Sequence, residues 1–244
     1  MIKIKTRVVY LGGKKIGLEC LKILYKNIYK LNIDLVGVDI SPREGGMLDF
    51  VKKNRIKNLF GVIPLCDVII SVQYHRILSS KEIAKATQRS VNLHMAPLPE
   101  YRGCNQFSLA ILNQDVEFGV TFHEMTVGID SGPIIAEERF LINDNMWVDE
   151  LVSLTEQKSI KLFYNSLSLL ICGGYRARDQ DKLMHGKKSI FNLRKDVEKI
   201  KEIDLSWPVE KIMRHIRAVS MPGFSPPYAM IGEERILLIR SKKI

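Results

Sequence analysis

The chain has 244 residues, of which 46% are hydrophobic and 26% are charged, and its formal net charge is +10. This length and composition are typical of a soluble globular protein with one large domain, or one domain and a small appendage. No apolar run approaches the about 20 residues that span a bilayer, and the start lacks a signal-peptide pattern. We therefore expect a cytoplasmic protein without membrane contact.

The basic charge favours anionic partners, and nucleic acid, a nucleotide diphosphate and a polyglutamylated folate all qualify. The lysines are scattered along the chain instead of forming one block, which does not favour a dedicated nucleic-acid surface. The four cysteines, Cys20, Cys66, Cys104 and Cys172, are widely spaced. That spacing is typical of reduced thiols and gives no metal site.

Strands and helices alternate through the first part of the chain. Apolar runs predict strands at residues 6–11, 31–40, 67–72 and 90–94, and the spacing of apolar residues predicts helices at 16–28 and 81–87. Such alternation implies parallel pairing with right-handed crossovers. The predicted fold class is α/β, with a Rossmann-like, open and mostly parallel sheet.

The second part of the chain predicts further β-structure, a long helix and a small final segment. We expect a helix at 103–113, strands at 118–125 and 133–142, and a helix at 147–170. Charged, irregular sequence at 176–188 then separates a main domain, 1–175, from a C-terminal α+β subdomain, 188–244. This subdomain has a predicted helix at 209–217 and a hairpin with strands at 228–231 and 235–240.

An amide, an imidazole and a carboxylate form the most informative pattern of the chain. Asn92 and His94 are two apart in a predicted strand, so their side chains point to the same face. Asp130 follows in a glycine-flanked loop, far enough along the chain to return on a neighbouring element. These groups suit the polarisation of a carbonyl and the transfer of a proton, whereas Asn92 alone is more typical of a turn cap and His94 alone of a core histidine.

Four linked motifs make the chain resemble the folate-dependent formyltransferases. They are Asn-Leu-His at 92–94, Leu-Pro-Glu-Tyr-Arg-Gly at 98–103, Gly-Val-Thr-Phe-His at 119–123 and Asp-Ser-Gly-Pro-Ile-Ile at 130–135. The resemblance implies transfer of a formyl group from N10-formyltetrahydrofolate to a primary amine. It implies that Asn92 donates to the formyl oxyanion, that His94 is the general base or an electrostatic partner, and that Asp130 orients His94. Met95 departs from the family pattern, in which a proline commonly follows the histidine.

The resemblance also implies two walls for the folate. One wall comprises Arg76, Ile77 and Leu78, in the loop that follows the third predicted strand. The other wall runs from Met125 through Thr126, Val127 and Gly128 to Asp130.

Three groups are candidates for contact with the acceptor substrate. They are Lys14 and Lys15 in the first loop, where a helix N-terminus suits a phosphate; Tyr101, Arg102 and Asn105 beside the motif; and Phe224 and Tyr228 as packing for a base or sugar. For His123, the sequence leaves two alternatives open: a direct catalytic role or a structural hydrogen bond.

Three kinds of amine acceptor fit the resemblance: methionyl-tRNA, glycinamide ribonucleotide and a nucleotide-linked amino sugar. The short tail, the Ala-Pro-Leu-Pro-Glu-Tyr-Arg-Gly motif and the Phe-Ser-Pro-Pro-Tyr loop resemble the nucleotide-sugar N-formyltransferases most. The expected acceptor is dTDP-4-amino-4,6-dideoxyglucose, a precursor of surface polysaccharide such as the O-antigen of lipopolysaccharide, and we expect a homodimer formed through the tail hairpin. The non-enzyme alternative is a basic nucleotide-binding module on a degenerate transferase fold.

Overall fold

A computed structural model gives the structure of the protein and describes residues 4–184, 189–192 and 194–240. The strands are β1 (Thr6–Gly12), β2 (Ile33–Ile40), β3 (Cys66–Val72), β4 (Ala86–His94), β5 (Tyr101–Gly103), β6 (Glu117–Glu124), β7 (Ile134–Leu141), β8 (Ile190–Asn192), β9 (Tyr228–Ile231) and β10 (Glu234–Leu237). The helices are α1 (Lys14–Lys26), α2 (Met47–Lys53), α3 (Ser80–Ile83), α4 (Gln106–Leu112), α5 (Val148–Cys172), α6 (Gln180–Leu183) and α7 (Val209–Val219), with a 3-10 helix at Arg194–Ile200.

The central sheet has six strands in the order β2-β1-β3-β4-β6-β7. The first four run parallel, whereas β6 is antiparallel to both β4 and β7. The predicted α/β class with a mostly parallel, Rossmann-like sheet is therefore confirmed. The predicted C-terminal hairpin is present as β9 and β10, and a separate parallel pair joins β5 to β8.

The sheet is covered on both faces, as parallel strands require. Along β1, Val8 and Tyr10 belong to the larger core cluster, and Val9 and Leu11 to a smaller cluster on the opposite side. All four side chains are fully buried. Because successive strand residues face opposite ways, this alternation shows that both faces of the sheet are covered at β1.

Two predicted helices have wrong boundaries. The helix expected at 81–87 is only α3, because Ser79 caps it at the start and the chain enters β4 at Ala86, opposite Cys66. The helix expected at 103–113 begins only at Gln106. Gly103 instead ends a short strand, and its positive φ of 83° is incompatible with an α-helix.

The segment expected to be irregular contains α6 and a bridge between Arg178 and Ile134 of β7. The proposed domain boundary at 188 and the histidine at 185 lie outside the described residues, so the division of the chain into two domains stays a prediction. Within the part of the chain that the structure describes, no helix is both long and apolar enough to cross a membrane.

Candidate active site

A cavity of about 800 Å³ opens where β3 and β4 end. Ser71, Asn92 and His94 line it from these strands, and Asp130 lines it from the loop between β6 and β7. In an open α/β sheet, ligands bind at the carboxyl ends of the parallel strands. The structure therefore brings together the three residues that the sequence analysis selected.

The Asn92 side chain is held at both ends of its amide. Its Oδ1 accepts a hydrogen bond from Ser71 Oγ at 2.9 Å, and its Nδ2 lies 3.2 Å from His123 Nε2. His123 Nδ1 lies 2.8 Å from the carbonyl oxygen of Glu124, and since a carbonyl only accepts, Nδ1 carries the hydrogen. In the neutral ring, Nε2 is then the acceptor for Asn92 Nδ2. The second hydrogen of Asn92 Nδ2 remains for a ligand.

His94 is buried, and its ring orientation is set by the backbone. Its Nε2 lies 2.8 Å from the carbonyl oxygen of Tyr101, so Nε2 carries a hydrogen and the neutral ring has its lone pair on Nδ1. Burial lowers the pKa of His94, and this effect outweighs the raising effect of Asp130. The ring is therefore neutral at pH 7, with a basic Nδ1.

Asp130 lies between the two histidines. Its Oδ2 is 3.5 Å from His94 Nδ1 and accepts a hydrogen bond from the Gly103 N–H at 3.0 Å, while its Oδ1 is 3.4 Å from His123 Nε2. Burial raises the pKa of Asp130, but the histidines and the Gly103 N–H outweigh it and lower the pKa to about 2. The carboxylate is thus charged at pH 7, and a proton that reaches His94 Nδ1 forms an ion pair with it.

The predicted folate walls both face this cavity. The lining includes Arg76, Ile77 and Leu78 on one side, and Met125, Thr126 and Gly128 on the other. The guanidinium of Arg76 is held by Tyr74 Oη, the Gly61 carbonyl and Glu82. Val127 is 74% exposed and is not part of the lining.

The predicted acceptor contacts divide into two groups. Lys14, Asn105 and Phe224 line the cavity. The other four do not belong to the lining that the described residues form: Lys15 is exposed, Tyr101 bonds Asp115, Arg102 bonds Gln180, and Tyr228 packs under Arg235. The structure therefore gives no geometric support for ligand contact at these four positions.

Several lining residues were not found from the sequence. Val152 and Glu156, one turn apart, face the cavity from α5, and Phe191 and Lys201 face it from the C-terminal segment. Lys201 is only 3% exposed and bonds Glu198 and Ser225. Only the spacing of Val152 and Glu156 on one helical face was visible in the sequence, and the others occur in segments without a periodic pattern.

Comparison with known proteins finds a family that matches the part of the chain around the cavity. Residues 64–167 match the formyl transferase family, a range that contains the whole Asn92, His94 and Asp130 constellation. A methionyl-tRNA formyltransferase from Lactobacillus johnsonii is 33% identical over 184 residues, which are 73% of this chain and 54% of the relative. The chain therefore spans about half the length of that relative.

Solved structures agree with the fold. An N-formyltransferase from Helicobacter canadensis, in complex with folinic acid and dTDP-3-aminofucose, superimposes with a TM-score of 0.75 at 24% identity, over 96% of this chain and 86% of that chain. A 4-N formyltransferase from Francisella tularensis superimposes with a TM-score of 0.77 at 17% identity, over 98% and 99% of the two chains. Residues 64–167 thus match the formyl transferase family, and the chain as a whole has the fold of the sugar N-formyltransferases.

Proposed function

We propose that the protein transfers a formyl group from N10-formyltetrahydrofolate to the primary amine of a dTDP-linked amino-dideoxy sugar. The observation that carries this proposal is the convergence of Asn92, His94 and Asp130 on one cavity, with an amide hydrogen of Asn92 available and His94 neutral. The walls around Arg76 and Met125 offer the apolar and polar surface that a pterin ring needs.

The proposed reaction is an acyl transfer. The amine nitrogen attacks the formyl carbon, the carbonyl oxygen becomes negatively charged, and Asn92 Nδ2–H donates a hydrogen bond to it. His94 Nδ1 takes a proton from the amine, and Asp130 stabilises the imidazolium that forms. The carbon–N10 bond then breaks, the electron pair returns to N10, and the proton passes to N10 to give tetrahydrofolate.

The remaining part of the cavity is the proposed acceptor side. Lys14 provides positive charge suitable for a diphosphate, and Phe224 provides an aromatic face for a base. The proposed sugar is 4-amino-4,6-dideoxyglucose. We propose that its formylation takes place in the cytoplasm, on a route to surface polysaccharide. The 4-N formyltransferase match over nearly its whole length supports a 4-amino acceptor, whereas the Helicobacter canadensis complex supports a 3-amino acceptor.

Mass spectrometry of the acceptor after incubation with N10-formyltetrahydrofolate tests this proposal. We expect dTDP-4-amino-4,6-dideoxyglucose to gain one formyl group, and the Asn92→Ala variant to abolish most of that gain. Formylation of a dTDP-3-amino sugar alone would keep the chemistry and reject the proposed sugar. Formylation of no amine would reject the transferase activity.

Methionyl-tRNA is the second candidate acceptor, because a methionyl-tRNA formyltransferase is 33% identical to the chain over 184 residues. Charged initiator tRNA therefore belongs in the same assay. Formylation of the tRNA, but not of the sugars, would favour this function.

We also propose that the protein is a homodimer formed through the β9–β10 hairpin. An isolated two-stranded hairpin is marginally stable in water, yet Met230, Ile231 and Leu237 on it are between 42% and 59% exposed. Light scattering should therefore show a dimer, and Leu237→Lys should shift it towards the monomer. Tyr29→Lys, at a 93% exposed position remote in sequence, is the matched control. A wild-type monomer at micromolar concentration would refute the proposal.

A further inference from the structure

Gln180 lies in the segment that follows α5, fifty residues after Asp130. Its side chain is 1% exposed, although glutamine is usually found at the surface. A buried amide is stable only where its donors and acceptor find partners. The partners of this side chain therefore indicate what the residue does.

Both ends of the Gln180 amide are fully used. Its Nε2 donates to the carbonyl oxygen of Asp130 at 2.9 Å and to that of Gly132 at 2.6 Å. Its Oε1 accepts from Arg102 Nε at 3.0 Å and from Arg102 Nη2 at 2.8 Å. One side chain thus ties the loop that carries Asp130 to the strand β5.

The loop needs such a restraint. Asp130 has a positive φ of 48°, a conformation that a non-glycine residue adopts only at an energetic cost. Gly132 packs so closely that a Cβ there would lie 1.9 Å from the Glu124 carbonyl oxygen. With two hydrogen bonds to backbone carbonyls of this loop, Gln180 restricts its movement.

The position of this loop determines where the Asp130 carboxylate lies. Its Oδ2 reaches both His94 Nδ1 and the Gly103 N–H, and Gly103 belongs to the same strand as Arg102. A shift between the loop and β5 would therefore separate the carboxylate from the imidazole.

We propose that Gln180 is a positioning residue, which holds the Asp130 carboxylate against His94 through the backbone of the loop. The kinetic consequence rests on the proposed function, whereas the consequence for the His94–Asp130 contact does not.

Titration of the His94 ring by NMR in four proteins tests the contact without any substrate. In the wild type, Asp130→Asn should lower the pKa of His94, since the carboxylate raises it. In the Gln180→Met background, Asp130→Asn should produce a smaller shift, because the carboxylate is no longer held in place. An equal shift in both backgrounds would overturn the proposal.

Two further variants keep the test decisive. If Gln180→Met does not fold, Gln180→Glu is compared in the same way, since it preserves the acceptor for Arg102 and removes both amide donors. Arg178→Met is the matched control on the same segment, because it breaks an ion pair with Glu137 without touching Gln180. It should leave the shift caused by Asp130→Asn unchanged.

The kinetic readout uses the acceptor that the wild type formylates. A misplacement of about 1 Å in a catalytic group lowers the rate by on the order of 100-fold, so Gln180→Met should lower kcat to that extent. The KM for the acceptor should change less than kcat. An unchanged kcat in a folded variant would overturn the proposal, whereas an inactive wild type would reject only the proposed function.

Discussion

The charge of Asp130 should stabilise the folded protein, and Asp130→Asn is the substitution that measures this contribution. Asparagine has nearly the same shape and can still accept the hydrogen bond from the Gly103 N–H, so the change removes mainly the charge. As the pH rises from about 2 to about 5, the range in which Asp130 ionises, we expect the stability of the wild type relative to the variant to increase by about 2 kcal/mol.

The magnitude follows from the pKa of Asp130: burial raises it, but the histidines and the Gly103 N–H lower it overall from 3.8 to about 2. Each pKa unit corresponds to about 1.4 kcal/mol, which gives about 2 kcal/mol for this difference. Its side chain is 14% exposed, so solvent screening is small. Because the folded-state pKa is lower than the unfolded-state pKa, the stabilisation is complete above about pH 5 and falls to roughly half near pH 3.

Urea unfolding of both proteins at about pH 7 and about pH 3 provides the assay. The difference in unfolding free energy should shrink as the pH falls. Asp115→Asn is the opposite-signed control, because burial raises the pKa of Asp115 and its charge disfavours folding. The unfolding free energy of the Asp115→Asn variant should therefore increase relative to that of the wild type as the pH rises. An Asp130→Asn effect that is equal at both pH values would refute the reasoning.

Two predictions concern catalysis. Asn92→Ala should lower kcat by roughly 10²–10³-fold, because the oxyanion loses a donor worth about 2.7–4 kcal/mol. Steady-state kinetics should show this loss while folate binding stays unchanged. An effect on KM alone would contradict the oxyanion role. The activity should fall at acid pH with a midpoint below 6.5, since burial lowers the pKa of His94, and Asp130→Asn should move this midpoint lower still. A pH–rate profile with a midpoint above 6.5 would contradict a buried, neutral His94.

The catalytic constellation was visible in the sequence because it depends on local rules. Asn92 and His94 are two residues apart on a strand, so a period of two places both on one face. The alternation of strands and helices then predicted a parallel sheet, and with it a ligand site at the carboxyl ends of the strands. These inferences require no knowledge of distant contacts.

The rest of the site depends on contacts between distant segments. Gln180 and Lys201 occur in charged sequence without periodicity, where the expected state is a solvent-exposed loop. Both are buried, and distant partners bond their polar atoms: the Asp130 carbonyl accepts from Gln180, and the Ser225 hydroxyl accepts from Lys201. Arg102 was predicted to contact the substrate because the sequence shows its position beside the motif. The sequence does not show that its guanidinium bonds Gln180.

His123 shows how a residue with an undecided role determines the direction of a catalytic group. The sequence left it between a direct role and a structural hydrogen bond. In the structure, its Nδ1 donates to the Glu124 carbonyl, and in the neutral ring this leaves Nε2 to accept from Asn92. With Ser71 on the oxygen side, this arrangement fixes which end of the Asn92 amide is the nitrogen. Only the amide nitrogen can donate to an oxyanion, so the role of Asn92 depends on the tautomer of His123. That tautomer depends on the Glu124 carbonyl, which the fold places beside the His123 ring.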